Sequence, residues 1–146
     1  MPGLLILAHA PLASALKAVA EHTFPDCAAR VVALDVLPTM AVEEIESQGR
    51  VMLEQMSEPD VLIFTDVFGA TPCNTAMRLA DGEHVRVVAG VNVPMLWRAL
   101  AYRRNPLAAL VERAVNGAVQ GVMHQFDIRL ERPIHLGDHM RRLDHV

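Results

Sequence analysis

Leu4-Leu5-Ile6-Leu7-Ala8-His9-Ala10-Pro11-Leu12 is the stretch from which the fold can be read. Leu4–Ala8 is apolar without alternation, the pattern of a strand buried on both faces. Helical spacing follows at once: Leu12, Leu16 and Val19 share one face, and Pro11 falls in the first turn, where its missing N–H is tolerated. A strand that hands over to a helix across one histidine sets that imidazole at the carboxyl end of a sheet. Ligands of open α/β sheets bind there, beside the free amides of a helix N-terminus.

The alternation continues outward. Val31–Val36, Val61–Thr65 and Val85–Ala89 are predicted strands. Helices are predicted over Leu12–His22, Val42–Met56, Pro72–Ala80, Val93–Arg103 and Leu107–Gln125. Thr39 and Thr71 are the expected caps of the second and third helices, and the second should bury Ile45, Met52, Leu53 and Met56. Asp81-Gly82 turns the chain into the fourth strand. Strands alternating with helices predict an α/β class fold, a doubly wound open sheet, mainly parallel, with helices on both faces. Parallel strands end on one edge, so His9, Asp66 and Asn92 should converge there. Residues 1–126 read as one domain. Residues 127–146 carry four Arg, four acidic residues and three His, broken by Pro133 and Gly137. They read as a C-terminal extension, with an edge strand near Ile128–Leu130 and then a tail.

A chain of 146 residues with 52% hydrophobic content supports one domain with a real core. No apolar run reaches the ~18 residues that span a bilayer, and no basic segment precedes the first apolar run as a secretory signal requires. Direct membrane insertion is not expected. Cys27 and Cys73 have no metal or redox spacing and read as free thiols in a reducing cytoplasm. The net charge of −4, with no basic stripe, disfavours nucleic acid as a partner.

His9 has two readings: a strand-end histidine bonded to backbone, or a nucleophile that accepts a phosphoryl group. An imidazole suits the second role because its ordinary pKa, about 6.5, leaves a neutral nitrogen at cellular pH. Asp66 is either a turn residue or the carboxylate that orients this ring by accepting one N–H. The second role needs strands one and three to be neighbours, as in a flavodoxin-like order 2-1-3-4. The Ala10-Pro11-Leu12 and Ala70-Thr71 segments, through their backbone amides and the Thr71 hydroxyl, are the candidate phosphate-binding groups. Gly69-Ala70-Thr71-Pro72 matches no nucleotide signature. An aspartyl-phosphate receiver is rejected, because no acid follows strand one and the only lysine, Lys17, lies inside helix one. Phe68, Asn92 and Met95 are candidate partner-docking residues at the strand ends, with core packing the competing role for Met95 and Trp97. His135 and His139 have a metal-like spacing, but the breakers around them argue against a metal site. No cofactor and no metal are expected.

Three segments carry a resemblance: Leu5-Ile6-Leu7-Ala8-His9, then Phe64-Thr65-Asp66-Val67-Phe68-Gly69-Ala70-Thr71-Pro72-Cys73-Asn74, then Ala89-Gly90-Val91-Asn92-Val93-Pro94-Met95-Leu96. In order and spacing they resemble the mannose-family enzyme IIA of the bacterial sugar phosphotransferase system, over Leu4 to Gln125. The resemblance implies a cytoplasmic homodimer, commonly formed by exchanging an edge strand. It implies that phosphorylated HPr is the donor to His9, that a IIB domain is the acceptor, and that Asp66 bonds the active histidine. Thr71 stands where the family often has serine, Phe68 where tryptophan can occur, and Ala70 where glycine can occur. No linker or IIB domain follows, so the acceptor is expected on a separate protein. A regulatory IIA, or a IIA unit for dihydroxyacetone phosphorylation, is the alternative pathway.

Overall fold

In the computed structural model, which describes residues 1–125, the first apolar run forms β1 (Gly3–His9). Leu5, Ile6, Leu7 and Ala8 expose no surface, as unbroken hydrophobicity demands of a strand covered on both faces. The remaining elements, in chain order, are α1 (Leu12–Thr23), α2 (Pro25–Ala28), β2 (Val32–Val36), α3 (Val42–Gln55), β3 (Val61–Thr65), α4 (Thr71–Leu79), β4 (Val85–Ala89), α5 (Val93–Ala101) and α6 (Leu107–Gln120). Among the described residues, no helix is long and apolar enough to cross a membrane.

The sheet is parallel throughout, in the order β2-β1-β3-β4. Leu4, Ile6 and Ala8 point to one face, in a cluster with Ala13 and Leu16 of α1, Leu96 and Ala99 of α5, and Leu110 and Ala114 of α6. Leu5 and Leu7 point to the other, with Ile45 of α3 and Ala76 and Leu79 of α4. Each fully buried aliphatic side chain contributes ~1.5–3 kcal/mol, so strands buried on both faces bind the three layers together. The chain winds outward from β1 to β2, then from β3 to β4 in the opposite direction. The winding therefore reverses between β1 and β3, opening a crevice at their carboxyl ends.

The structure corrects several local expectations. The short helix α2, entered through Pro25, has too few residues to show periodicity. The buried stripe of α1 is Ala13, Leu16 and Ala20, while Val19 is exposed; small residues let this helix sit close to the sheet. Thr39 does not cap α3, which starts after Ala41 with Glu43 and Glu44 in its first turn, where acids favour the positive helix end. Of its expected buried face, Ile45 is buried, and Met52, Leu53 and Met56 pack half-buried against the same cluster. Thr71 is not the cap of α4 but its first residue; Ala70 precedes it without a side-chain cap. The helices α5 and α6 end at Ala101 and Gln120, short of Arg103 and Gln125. The Asp81-Gly82 turn is held as expected, with Asp81 Oδ1 accepting the amides of Glu83, His84 and Val85. These bonds, led by Val85, hold the Asp81 carboxyl below its ordinary pKa. The expected extension over 127–146, and the edge strand expected near Ile128–Leu130, fall outside the described residues.

The helices α5 and α6 approach closely at Gly117, where an added Cβ would lie 2.6 Å from Arg98 Cβ and 3.3 Å from Pro94 O. Gly117→Ala should therefore destabilise the fold by about 1–3 kcal/mol through overpacking, more than offsetting the ~1 kcal/mol that alanine gains over glycine inside a helix. Urea unfolding of the variant against the parent chain checks this; an unchanged or raised midpoint contradicts it.

Candidate functional site

The crevice between β1 and β3 contains His9 and Asp66. His9 ends β1, and continuing the register past Ile6↔Phe64 sets Ala8 opposite Asp66. Asp66 Oδ2 accepts the His9 main-chain N–H at 3.0 Å and lies 2.6 Å from ring Nδ1. Its Oδ1 accepts the Val67 N–H at 2.9 Å. Desolvation is the largest single influence on the Asp66 carboxyl and pushes its pKa up. Hydrogen bonds from the His9 ring, the His9 amide and the Val67 amide together outweigh it and hold the pKa below the ordinary 3.8. An ionised carboxylate only accepts, so Nδ1 must carry a proton, and in the neutral tautomer of the ring Nε2 holds the lone pair. The His9 side chain is 53% exposed, against 13% for Asp66. The pair is a half-buried carboxylate holding an accessible imidazole.

Alternation along β1 puts His9 with Leu5 and Leu7 on the face that α3 and α4 cover. The start of α4 closes this side of the crevice. Gly69 makes the approach at φ +88°, a conformation that favours glycine, and Asn74 Nδ2 ties down its carbonyl at 3.2 Å. No acid stands in the first turn of α4 and no side chain caps it, so the amides of Thr71 and Cys73 have no acceptor among the described residues. Ala70 N–H makes a long 3.5 Å bond to Val67 O.

The start of α1 differs. Ala10 N–H donates to Val36 O at 2.9 Å, and Pro11 has no N–H to give. Of the three candidate phosphate donors Ala10, Pro11 and Leu12, only Leu12 offers an open amide. Sequence reading also missed Asp35, which accepts from the Ser14 amide in this helix. The available signal was a carboxylate inside the otherwise apolar Val31–Val36 run.

The docking candidates separate. Phe68 is 78% exposed, and Val67 and Leu37 stand exposed on the same edge. Met95 is buried in the core at 2% exposure, where an outside partner cannot reach it. Asn92 caps α5, accepting the Met95 N–H at 2.8 Å, while its Nδ2 donates to Ala118 O at 3.3 Å. Both side-chain groups are thus committed to structure. His84 lies 2.8 Å from Asp60 at the opposite edge of the sheet. Cys27 and Cys73 are unpaired. No cluster of three or more metal-ligating side chains occurs among the described residues; His135, His139 and His145 fall outside them.

A parallel 2-1-3-4 sheet with an aspartate-tethered histidine at its switch point defines a class of α/β proteins that present an imidazole to solvent. Comparison with known proteins narrows the class. Residues 3–115 match a family, EIIA-man, described as the fructose IIA component of the phosphotransferase system. Over 93 residues the chain is 33% identical to the mannose-specific EIIAB component of Escherichia coli (strain K12), a match covering 61% of this chain and 29% of that relative. The chain thus matches less than a third of the length of this curated relative. The mannose/sorbose specific IIA subunit from Enterococcus faecalis superposes with a TM-score of 0.79 at 21% identity, covering 91% of this chain and 98% of that one. The IIA protein associated with the fucose utilization operon of Streptococcus pneumoniae gives 0.74 at 24% identity, covering 84% and 92%. The chain belongs to the EIIA-man family, the mannose-type IIA components of the sugar phosphotransferase system.

The depressed Asp66 pKa sets a pH dependence. A carboxylate stabilised in the folded state contributes stability above its unfolded pKa and loses it as pH falls through the lower folded value. The stability difference between the parent chain and Asp66→Asn should persist at neutral pH and vanish on acidification below the ordinary carboxylate range. Unfolding midpoints taken across acidic pH test this; a difference independent of pH contradicts it.

Proposed function

We propose that this chain is a phosphocarrier: His9 Nε2 accepts a phosphoryl group from phosphorylated HPr and passes it to a IIB-type acceptor. The observation that carries this reading is the 2.6 Å contact between His9 Nδ1 and the ionised Asp66, which in the neutral ring makes Nε2 the attacking nitrogen of a half-exposed side chain. In the transfer, the P–N bond of the donor phosphohistidine breaks as the bond to His9 Nε2 forms. The donor ring, protonated on its other nitrogen, leaves as neutral imidazole. His9 becomes a phosphoimidazolium whose Nδ1–H remains on Asp66, so charge and protons balance. The donor P–N bond is already reactive, so the reaction needs positioning and charge stabilisation rather than a metal or nucleotide.

The equatorial oxygens are received by the start of α4, through the amides of Thr71 and Cys73 and the Thr71 hydroxyl, with Leu12 N–H the remaining donor from α1. Phe68, Val67 and Leu37 form an apolar rim on which HPr and the acceptor dock in turn. This reading places the protein in the cytoplasm, where its two unpaired thiols stay reduced. It also includes a homodimer. The outer edge of β4 is unpaired among the described residues and runs beside a groove lined by Phe68, Met77, Val85, Val87 and Val111. An open strand edge next to apolar surface is a template for a second chain.

Incubation with enzyme I, HPr and phosphoenolpyruvate should leave an acid-labile phosphate on the wild-type chain and none on His9→Ala. Asp66→Ala should slow labelling at least about a hundredfold, in the range of other acid–base and orienting groups. Label on His9→Ala, or an unchanged rate for Asp66→Ala, rejects the assignment. Sedimentation equilibrium should report a dimer; a monomer at every concentration rejects the assembly without touching the chemistry.

A further inference from the structure

The residues that hold His9 from its β2 side play no part in the reading above. Ala8 pairs with Asp35 and His9 with Val36 across the β1–β2 ladder. Val36 O binds the Ala10 N–H. Asp35 Oδ1 accepts the Ser14 N–H at 3.1 Å, and Oδ2 accepts the Ser14 hydroxyl at 2.5 Å. Pro11 O also lies 3.2 Å from Ser14 Oγ; the hydroxyl has one proton, and the shorter contact to the carboxylate takes it.

Ser14 N–H is the third amide of α1, one of the four that a helix leaves without an internal acceptor. A helix usually fills this need from the residue just before it. Here that residue is Pro11, which supplies no side-chain cap. The cap comes instead from a neighbouring strand, so it joins β2 to the helix that follows His9. The Ala10-Pro11 connection is consequently pinned at both ends: at Ala10 by Val36, and one turn later at Ser14 by Asp35. Asp66 adds a third tie, on the His9 N–H itself.

We propose that Asp35, acting through Ser14, is a positioning residue for phosphoryl transfer at His9, an inference that rests on the phosphocarrier reading. Asp35 touches no reacting atom. It fixes the main chain on which the acceptor imidazole is mounted, so that Nε2 meets the donor phosphorus in line. The tolerance is narrow: a misplacement of about 1 Å from a distant change can cost about a hundredfold in rate. Asparagine at position 35 keeps the oxygen that accepts the Ser14 N–H and the shape of the side chain, whereas alanine keeps neither.

Single-turnover transfer from ³²P-labelled phosphorylated HPr, followed over a range of donor concentrations, tests the role. Asp35→Ala should lower the saturating rate about tenfold or more with little change in the half-saturating donor concentration. Asp35→Asn should stay within about threefold of wild type, and Ser14→Ala, which loses only the hydroxyl bond, should fall between the two. Thermal melts followed by circular dichroism show which variants are folded. A folded Asp35→Ala with the wild-type saturating rate, or with its whole loss in the half-saturating concentration, overturns the proposal. If Asp35→Ala does not fold, a wild-type rate for Ser14→Ala overturns it instead. A wild-type chain that takes no phosphoryl group removes the phosphocarrier reading, and this inference with it. A labelled wild type matched by Asp35→Ala removes only the inference.

Discussion

The parallel pairing of β1 with β3 is the constraint on which the rest of the structure depends. It joins two strands far apart in sequence, from Gly3↔Val61 to Ile6↔Phe64. Both are buried on both faces, so every other layer packs against them. The pairing makes the winding reverse at the centre of the sheet, and the reversal creates the crevice. It also brings Asp66 within reach of His9, 57 positions away in the chain. Burial of Leu5, Leu7, Ile63 and Phe64 therefore stands behind the geometry of a polar site to which none of them contributes a polar atom.

The site uses its polar groups economically. Asp66 holds the main chain and the ring of the same histidine with one oxygen and steadies its own loop with the other. Two helix N-termini border the crevice, and they are not equivalent. The start of α1 is partly engaged: Val36 O takes the Ala10 N–H just before the helix, the Asp35 carboxylate takes the Ser14 N–H, and Pro11 offers no donor. The first turn of α4 carries no acid and no cap. A helix end left without an anionic partner is the better receiver for a phosphoryl group, and this one lies on the face of the sheet to which His9 belongs.

Much of the fold was legible because its signals are local or strictly periodic. The apolar runs of β1 and β3 admit no other element in a chain of this size, and alternation with helices leaves few topologies. His9 and Asp66 could be singled out because polar residues at the ends of such runs must emerge on one edge. Details set by contact with another element were less legible. Thr71 looked like a cap and lies inside the helix; Val19 looked buried and is exposed. Met95 and Asn92 stood at a strand-to-helix junction like Phe68, yet Met95 points into the core and Asn92 is committed to α5 and to Ala118 O.

The sequence by itself determined the four strands and the five longer helices, their parallel arrangement, and the histidine and aspartate at the strand ends, because hydrophobic period and turn chemistry act over a few residues. Only the tertiary structure decided which backbone amides remain open to a ligand, which tautomer His9 adopts, and that Asp35 anchors the helix after it. Each of these depends on a hydrogen-bond partner from a different strand or helix. A free amide, a protonated ring nitrogen and a cap supplied across a ladder are properties of pairs, and the chain alone does not state how its pairs are formed.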